Sequence, residues 1–281
     1  MAWAVTITLS QASLAYLLFS TNSLYNYFEV SLFSQYSNSV ISLFISIVAI
    51  GAIPAIFISS PLSRKIGNRN TLMVVDILGL IGTGLTMIEN FPVIIIGRFI
   101  QGLGIGTNQV IIQDYLPTIA PKVLGRRVYI YNMLIFPFAG TIAGALGFVG
   151  PSSPEGHLWR WRFLLALAAV VNIYRLLALT FIFKQETPGD LIKHGKDEEA
   201  YKVMKKIYLD NYEEHFQELQ TFVKKSQEHA SVGTKEIFTK YRKEVLTASL
   251  LGIFQQGSGF ATFLVFPYAI VSEGDSGDKD I

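Results

Sequence analysis

Apolar residues occur along the chain in long runs that are separated by short polar segments. Each run approaches or exceeds the ~20 residues that a helix needs to cross the hydrocarbon core of a bilayer. We predict membrane-spanning segments near residues 3–24, 40–59, 71–88, 91–116, 129–148, 161–183 and 245–271. We predict that all are helices, because a helix satisfies its own backbone hydrogen bonds in lipid. The pattern therefore predicts an all-α membrane protein.

The order of apolar and polar segments divides the chain into three parts. Residues 1–183 are predicted to form a six-helix bundle, 184–243 a cytoplasmic helical linker, and 244–281 a seventh transmembrane helix with a short acidic tail. The linker has helix signals, since Thr187 to Asp190 resembles a capping box and Gly195 is suited to ending that helix. Two interpretations stay open: a solvated amphipathic linker, or a helical cap packed beneath the bundle.

Positive charge alternates between successive loops. Arg64, Lys65 and Arg69 follow the second run, and Lys122, Arg126 and Arg127 follow the fourth, whereas the loops after the first and third runs carry no Lys or Arg. Cytoplasmic loops are enriched in Lys and Arg. The amino terminus is therefore predicted to be cytoplasmic.

Composition narrows the function classes. The chain of 281 residues is 51% hydrophobic and 16% charged, against about 25% charged in soluble domains. The net charge of +2 gives no support to a nucleic-acid partner, and there are no cysteines for a thiolate metal site. No metal site, phosphate loop or nucleophile–base set is evident, so we expect neither an enzyme nor a cofactor.

Arg98, Asp76 and Arg175 lie well inside apolar runs, where charged side chains usually mark functional sites. Arg98 stands in a glycine-rich stretch between Gly97 and Gly102, and such glycines let membrane helices approach closely. Asp76 and Arg175 lie at similar depths from the cytoplasmic side, and we hypothesise that they form an ion pair. The alternative is that Asp76 reaches the interface alone.

Several motifs occur in a specific order. They are Gly-Arg-Phe-Ile-Gln-Gly-Leu-Gly-Ile-Gly at 97–106, Trp-Arg-Trp-Arg at 159–162, Glu-Thr-Pro at 186–188 and Gln-Gln-Gly-Ser-Gly at 255–259. Together they resemble the sugar porter family of the major facilitator superfamily, whose members have two six-helix halves that alternate access around a central substrate. The resemblance implies a major facilitator-type bundle, truncated to about seven helices.

The resemblance implies roles for individual residues. Gln255 and Gln256 would hydrogen-bond sugar hydroxyls, because an amide offers both donors and acceptors without a charge. The alternative is that they bond to a neighbouring helix. Asn22 is a third candidate substrate-binding residue. It aligns with the first-helix aspartate that is linked to the arginine at the position of Arg98 in proton-coupled members. Since asparagine does not titrate near neutral pH, facilitated diffusion is expected.

The cytoplasmic motifs depart from the family pattern. The candidate gating residues are Gly67, Arg69, Glu186 and Arg126. Gly67 and Arg69 match the family pattern, but Arg64 stands where the family has an aspartate, and Gly125-Arg126 stands where it has Arg-Gly. Ala261 replaces an asparagine that contacts sugar in the family. We expect a weakened cytoplasmic clamp and altered sugar selectivity.

The expected function is transport of a hexose-like sugar across a membrane, with the plasma membrane as the family default. The expected partners are the bilayer, a small neutral sugar, and either a second copy or a full-length carrier. One alternative is a transport-inactive isoform that senses sugar or regulates a carrier. Another is a seven-span receptor, which the cytoplasmic amino terminus opposes.

Overall fold

Every element that the structure describes is a helix. The computed structural model describes residues 6, 8–9, 11–13, 15–17, 38–119, 122–148, 157–207, 212–230 and 239–258. The described residues between 6 and 17 are helical and form the amino-terminal segment. The helices that follow are α1 (Asn38–Ile66), α2 (Asn68–Thr86), α3 (Phe91–Ile119), α4 (Lys122–Phe148), α5 (His157–Leu177) with a π-helical turn (Ala178–Ile182), α6 (Pro188–Lys193), α7 (Asp197–Ile207), α8 (Tyr212–Ala230) and α9 (Arg242–Gly257).

The boundary between α1 and α2 corrects the predicted loop after the second apolar run. Helix α1 continues to Ile66 through Pro54 and Pro61, and Gly67 is the single residue before α2 begins. Pro61 removes one backbone donor, which kinks or breaks many helices. Ser63, however, donates to the Asn68 side chain across the junction. Gly67 has a φ of 88°, which glycine adopts without steric cost.

Helix α3 occupies the centre of the described bundle. It packs along both α1 and α2, and α2 also packs against α5. Two apolar clusters lie along α3, one near its start and one near its end. One contains Tyr16, Leu17, Phe44, Ile94, Ala143, Leu164, Leu165 and Ala168. The other contains Leu72, Ile111, Ile112, Tyr115, Leu116, Val128 and Leu179.

Among the described residues, three helical stretches are long and apolar enough to cross a membrane. They are Ser46–Ile66, Arg127–Leu146 and Arg162–Ile182. Helices α2 and α3 carry polar residues that are turned inward, and Asp76 and Asn108 are both 0% exposed. Large apolar side chains instead point outward, as Phe57 on α1 and Phe138 on α4 do. This distribution is the reverse of a water-soluble protein and suits contact with lipid. The full set of seven spans stays a prediction.

The start of the linker forms the capped helix that the sequence predicts. The Thr187 hydroxyl accepts from the Asp190 N–H at 3.1 Å, with Pro188 in the first turn of α6. Gly195, at a φ of 72°, ends the helix while the Lys196 N–H donates to the Leu191 carbonyl at 2.9 Å. Helix α6 packs against α7 and contacts α3. These contacts favour the helical cap over the solvated linker for this stretch.

Residues 1–216 and residues 217–281 form two separately compact units. In the second unit, α9 exposes Leu246, Leu251 and Phe254. The predicted domain boundaries at residues 183 and 243 stay predictions.

Candidate functional site

Glycines near Arg98 let α3 approach its neighbouring helices closely. A Cβ on Gly97 would lie 2.8 Å from the Gly82 carbonyl oxygen of α2. A Cβ on Gly102 would lie 3.0 Å from the Cα of Gly51 on α1. Real Cβ contacts at these distances require movement of backbone, so only glycine fits at either site. Helix α3 therefore presents Gly97 to α2 and Gly102 to α1, as expected for small residues at membrane helix interfaces.

Arg98 is buried at this level of the bundle, with 2% of its surface exposed. Its Nη1 donates to the Gln101 Oε1 at 3.4 Å, and its Cζ lies 5.1 Å from the centre of the Phe44 ring. Gln101 in turn donates to the Thr86 hydroxyl at 3.3 Å. A guanidinium over an aromatic face gains electrostatic attraction. Arg98 thus joins side chains of α1, α2 and α3.

Asp76 and Arg175 form a buried ion pair, which confirms the hypothesis from their depths in the sequence. The Arg175 Nε lies 2.8 and 2.9 Å from the two Asp76 carboxylate oxygens, and Nη2 lies 2.5 Å from Oδ1. The Arg175 Nη1 also donates to the Asn108 Oδ1 at 3.0 Å. The two charged side chains are only 1% and 0% exposed. The alternative, in which Asp76 reaches the interface alone, is wrong.

The amino-terminal segment turns a polar face toward the bundle. Ser13 donates to the Asn172 Oδ1 at 2.7 Å, and the Gln11 and Gln109 amides exchange bonds at 3.2 Å. A cavity of about 10 Å³ lies beside these groups, lined by Ser13, Leu17, Val75, Gly79, Gln101, Gly104, Asn172 and Arg175. That volume suits about one water molecule. It is far below the ~300 Å³ of a typical ligand pocket, so this cavity is not a sugar site.

At the predicted cytoplasmic end, Glu186 caps the start of α2, and Arg69 binds carbonyls at the end of α5. The Glu186 Oε2 accepts from the Arg69 N–H in the first turn of α2 at 3.1 Å, where the helix dipole favours a negative charge. The Arg69 Nε donates to the carbonyls of Leu179 and Phe183 at 3.0 and 2.7 Å. Leu179 lies within the π-helical turn and Phe183 directly follows it, where the last carbonyls of a helix have no partner in a continuing helix. The two residues therefore fasten α2 to the end of α5.

Gly67 completes this cytoplasmic junction. A Cβ on Gly67 would lie 2.7 Å from the Glu186 Oε1 and 3.3 Å from the Asp190 Oδ2. Burial raises the pKa of Glu186, against the N–H bond from Arg69, and the nearby Asp190 carboxylate raises it further. Burial likewise raises the pKa of Asp190, which His194 and Lys193 partly oppose. The junction therefore holds two carboxyl groups that are less acidic than usual.

The remaining predicted site residues lie partly or wholly outside the described structure. Gln255 and Gln256 belong to helix α9 and Arg126 belongs to helix α4. The structure describes the backbone of these three residues and not their side chains. Asn22 is outside the described residues. Their roles therefore stay predictions, and the described structure brings together Gly97, Arg98 and Gly102 at one level and Gly67, Arg69 and Glu186 at another.

Sequence reasoning missed four uncharged polar residues of the interior: Ser13, Gln101, Asn108 and Asn172. A signal for them existed. Gln101 and Asn108 are seven residues apart, and Asn172 precedes Arg175 by three, so each pair shares a helix face. Polar residues repeated on one face inside an apolar run indicate a polar seam that is turned away from lipid.

Comparison with known proteins identifies the family. Residues 5–275 match the family described as Sugar (and other) transporter, and the chain belongs to this family. "Sugar transport protein MST4" of Oryza sativa subsp. japonica is 27% identical over 236 residues, covering 83% of this chain and 45% of the rice protein. "Myo-inositol transporter 3C" of Cryptococcus neoformans is 28% identical over 235 residues, covering 79% and 39%.

Solved structures agree on the fold. A double Trp mutant of XylE superposes with a TM-score of 0.82 at 18% identity, covering 99% of this chain and 63% of that one. The inward-open xylose transporter XylE of E. coli gives a TM-score of 0.75 at 20% identity, covering 95% and 63%. The chain therefore has the major facilitator fold, and it is an integral membrane protein of the sugar porter type. The chain spans about half the length of the curated relatives it matches.

Proposed function

We propose that this chain supplies the amino-terminal half of a passive carrier for a small neutral sugar or a related polyol. Transport would proceed by alternating access once a second half completes the path. The observation that carries this proposal is the match to the sugar transporter family across residues 5–275. The relatives include proteins named for sugar and for myo-inositol transport, which supports a substrate that is hydroxyl-rich and uncharged.

The geometry of the described bundle supports a path outside it rather than through it. Several of its buried polar side chains hydrogen-bond to one another: Arg175 bonds to Asp76 and Asn108, and Ser13 bonds to Asn172. The cavity beside them is too small for a sugar. A substrate would therefore pass along the face that this half presents to a second half. Gln255 and Gln256 are the amides that we expect to meet its hydroxyls.

Absence of proton coupling is the second part of the proposal. One relative in fold is described as a proton:xylose symporter. In this sequence, Asn22 stands at the position that the family resemblance assigns to the coupling aspartate. An amide carries no titratable proton near neutral pH. We therefore propose that the sugar moves only down its own gradient.

The test is uptake of labelled hexoses and of myo-inositol into cells that lack their own sugar carriers. One strain expresses this chain together with the carboxy-terminal half of the rice relative, and a matched strain expresses a Gln255→Ala, Gln256→Ala variant with the same half. The proposal predicts saturable uptake that the double variant loses while its membrane level is unchanged. If surface-expressed pairs take up none of these solutes, the proposal is wrong.

A transport-inactive regulatory partner is the second candidate. It is favoured by Arg64, which places a positive charge where the family has an aspartate, and by Arg69, whose guanidinium is bound to carbonyls of its own half. Such a protein would bind a full-length carrier and change that carrier's rate without adding flux. Uptake measured with and without a co-expressed full-length relative separates the two candidates.

A further inference from the structure

His194 lies between the linker and the membrane bundle, with each ring nitrogen facing an oxygen. Its Nδ1 is 2.9 Å from the Asp190 carbonyl oxygen within α6. Its Nε2 is 3.3 Å from the Arg64 carbonyl oxygen near the end of α1. The Asp190 carboxylate adds a longer contact to Nδ1 at 3.6 Å. The ring therefore spans from the last turn of one helix to the last turn of another.

This arrangement distinguishes the two protonation states of the ring. A neutral imidazole has one N–H and one lone pair, whereas an imidazolium has two N–H groups. Both facing atoms are carbonyl oxygens, which only accept hydrogen bonds. A neutral ring satisfies one contact and turns a lone pair toward the other oxygen. Only the charged ring donates to both helices.

The charges around the ring favour the same state. On its own helix the ring faces Asp190, and the Glu186 carboxylate lies before the start of α6. From α1 it faces the Arg64 carbonyl, while the Arg64 side chain is exposed to solvent. Lys193, adjacent in sequence, acts on the same Asp190 carboxylate. The last turn of α6 adds negative carbonyl ends, which attract a cation.

We propose that His194 is a pH-sensitive latch, whose imidazolium form ties the linker helix α6 to the cytoplasmic end of α1 and whose deprotonation loosens that tie. The bond to the Asp190 carbonyl is the main cause that raises the pKa of His194 above its ordinary value of 6.5, and desolvation by burial opposes it. The bond to the Arg64 carbonyl and the nearby carboxylates raise the pKa by smaller amounts. The latch is therefore closed below the ordinary value and opens as the pH rises through the raised one. It does not require that the chain transports sugar.

The solvent exposure of the His194 side chain limits the size of the pH effect. The His194 side chain is 46% exposed, so solvent screens part of the charge. Exposed ion pairs change equilibria by about two- to fivefold, and we expect the opening equilibrium of α6 to change by that factor. The measurement is hydrogen exchange of the 189–193 amides in the full chain in lipid nanodiscs, as a function of pH and corrected for intrinsic exchange rates.

The latch predicts that protection of these amides falls two- to fivefold as the pH rises through the His194 transition. The step should vanish in His194→Gln and persist in the matched control His215→Gln, whose histidine lies in α8. A step of equal size in His194→Gln, or a flat wild-type profile, overturns the proposal.

A second measurement does not depend on the folding of His194→Gln. The chain has four histidines, so replacing His157, His215 and His229 by Gln leaves His194 alone. Its ring nitrogens can then be titrated by NMR. A midpoint above the ordinary histidine value of 6.5 supports the latch, and a midpoint at or below that value overturns it.

Discussion

Arg175 on α5 holds both carboxylate oxygens of Asp76 on α2, at 2.8 and 2.9 Å from its Nε, in a bundle interior that excludes solvent from both side chains. Asn108 on α3 accepts a further bond from the same guanidinium. One ion pair thus links three helices. Because both charges are desolvated, each depends on the other for compensation.

Removing one member of this pair should destabilise the bundle strongly. Arg175→Met leaves the Asp76 carboxylate buried without its cation, at an expected cost of about 3–5 kcal/mol in the free energy of unfolding. The matched control is Arg162→Met, because the Arg162–Glu89 pair is 41% and 44% exposed and should contribute about 1 kcal/mol or less. Unfolding in mixed micelles measures both.

The exchanged variant Asp76→Arg with Arg175→Asp tests whether the interaction is between the two residues themselves. It should be more stable than either single exchange. An exchanged variant no more stable than the singles would show that Asp76 and Arg175 act independently.

Two glycines of the bundle should respond to alanine in opposite directions. Gly102→Ala forces a methyl group against the backbone of α1, and we expect destabilisation by about 1–3 kcal/mol. Gly84 on α2 has no described neighbour within 4 Å of its Cβ position. There, alanine lowers the entropy cost of helix formation and should stabilise by about 0.5–1 kcal/mol. Equal effects at both positions in thermal unfolding would contradict the close approach of α1 and α3.

Glu186 should make the stability of the cytoplasmic junction depend on pH. Its pKa is raised in the folded protein by burial, so the folded state binds the proton more tightly than the unfolded state does. The unfolding free energy therefore falls as the pH rises from the ordinary glutamate value, near 4.5, through the raised one. Above the raised pKa of Glu186, its proton no longer contributes to the free energy of unfolding.

Glu186→Gln removes the titration but keeps a carbonyl oxygen that can accept from Arg69. Its melting temperature should equal or exceed that of the wild type near neutral pH, and the advantage should shrink in acid. The control is Glu89→Gln at the exposed pair with Arg162. A Glu186→Gln variant that is less stable than the wild type at neutral pH would show that the charge itself holds the junction.

Local signals in the sequence predicted part of this structure well. Thr187 and Gly195 mark the ends of α6 because capping depends on a few adjacent residues. The depths of Asp76 and Arg175 predicted their pairing because helical rise fixes depth along a span. The continuation of α1 through Pro61 was not predicted, since proline usually ends a helix.

Contacts between side chains and distant backbone carbonyls could not be predicted from the sequence pattern. Arg69 binds the carbonyls of Leu179 and Phe183, and backbone carbonyls are the same at every residue. The π-helical turn that exposes them depends on tertiary packing. His194 likewise meets the Arg64 carbonyl across 130 residues of sequence. Such contacts depend on the folded arrangement of the helices rather than on local residue choice.

Passive sugar transport by this chain is tested most directly by the uptake plateau in proteoliposomes that contain the chain and a complementary second half. Labelled sugar is followed with and without an imposed proton gradient. Passive transport predicts an internal concentration that rises to the external one and is unchanged by the gradient. Accumulation above the external concentration, abolished by an uncoupler, would contradict the account.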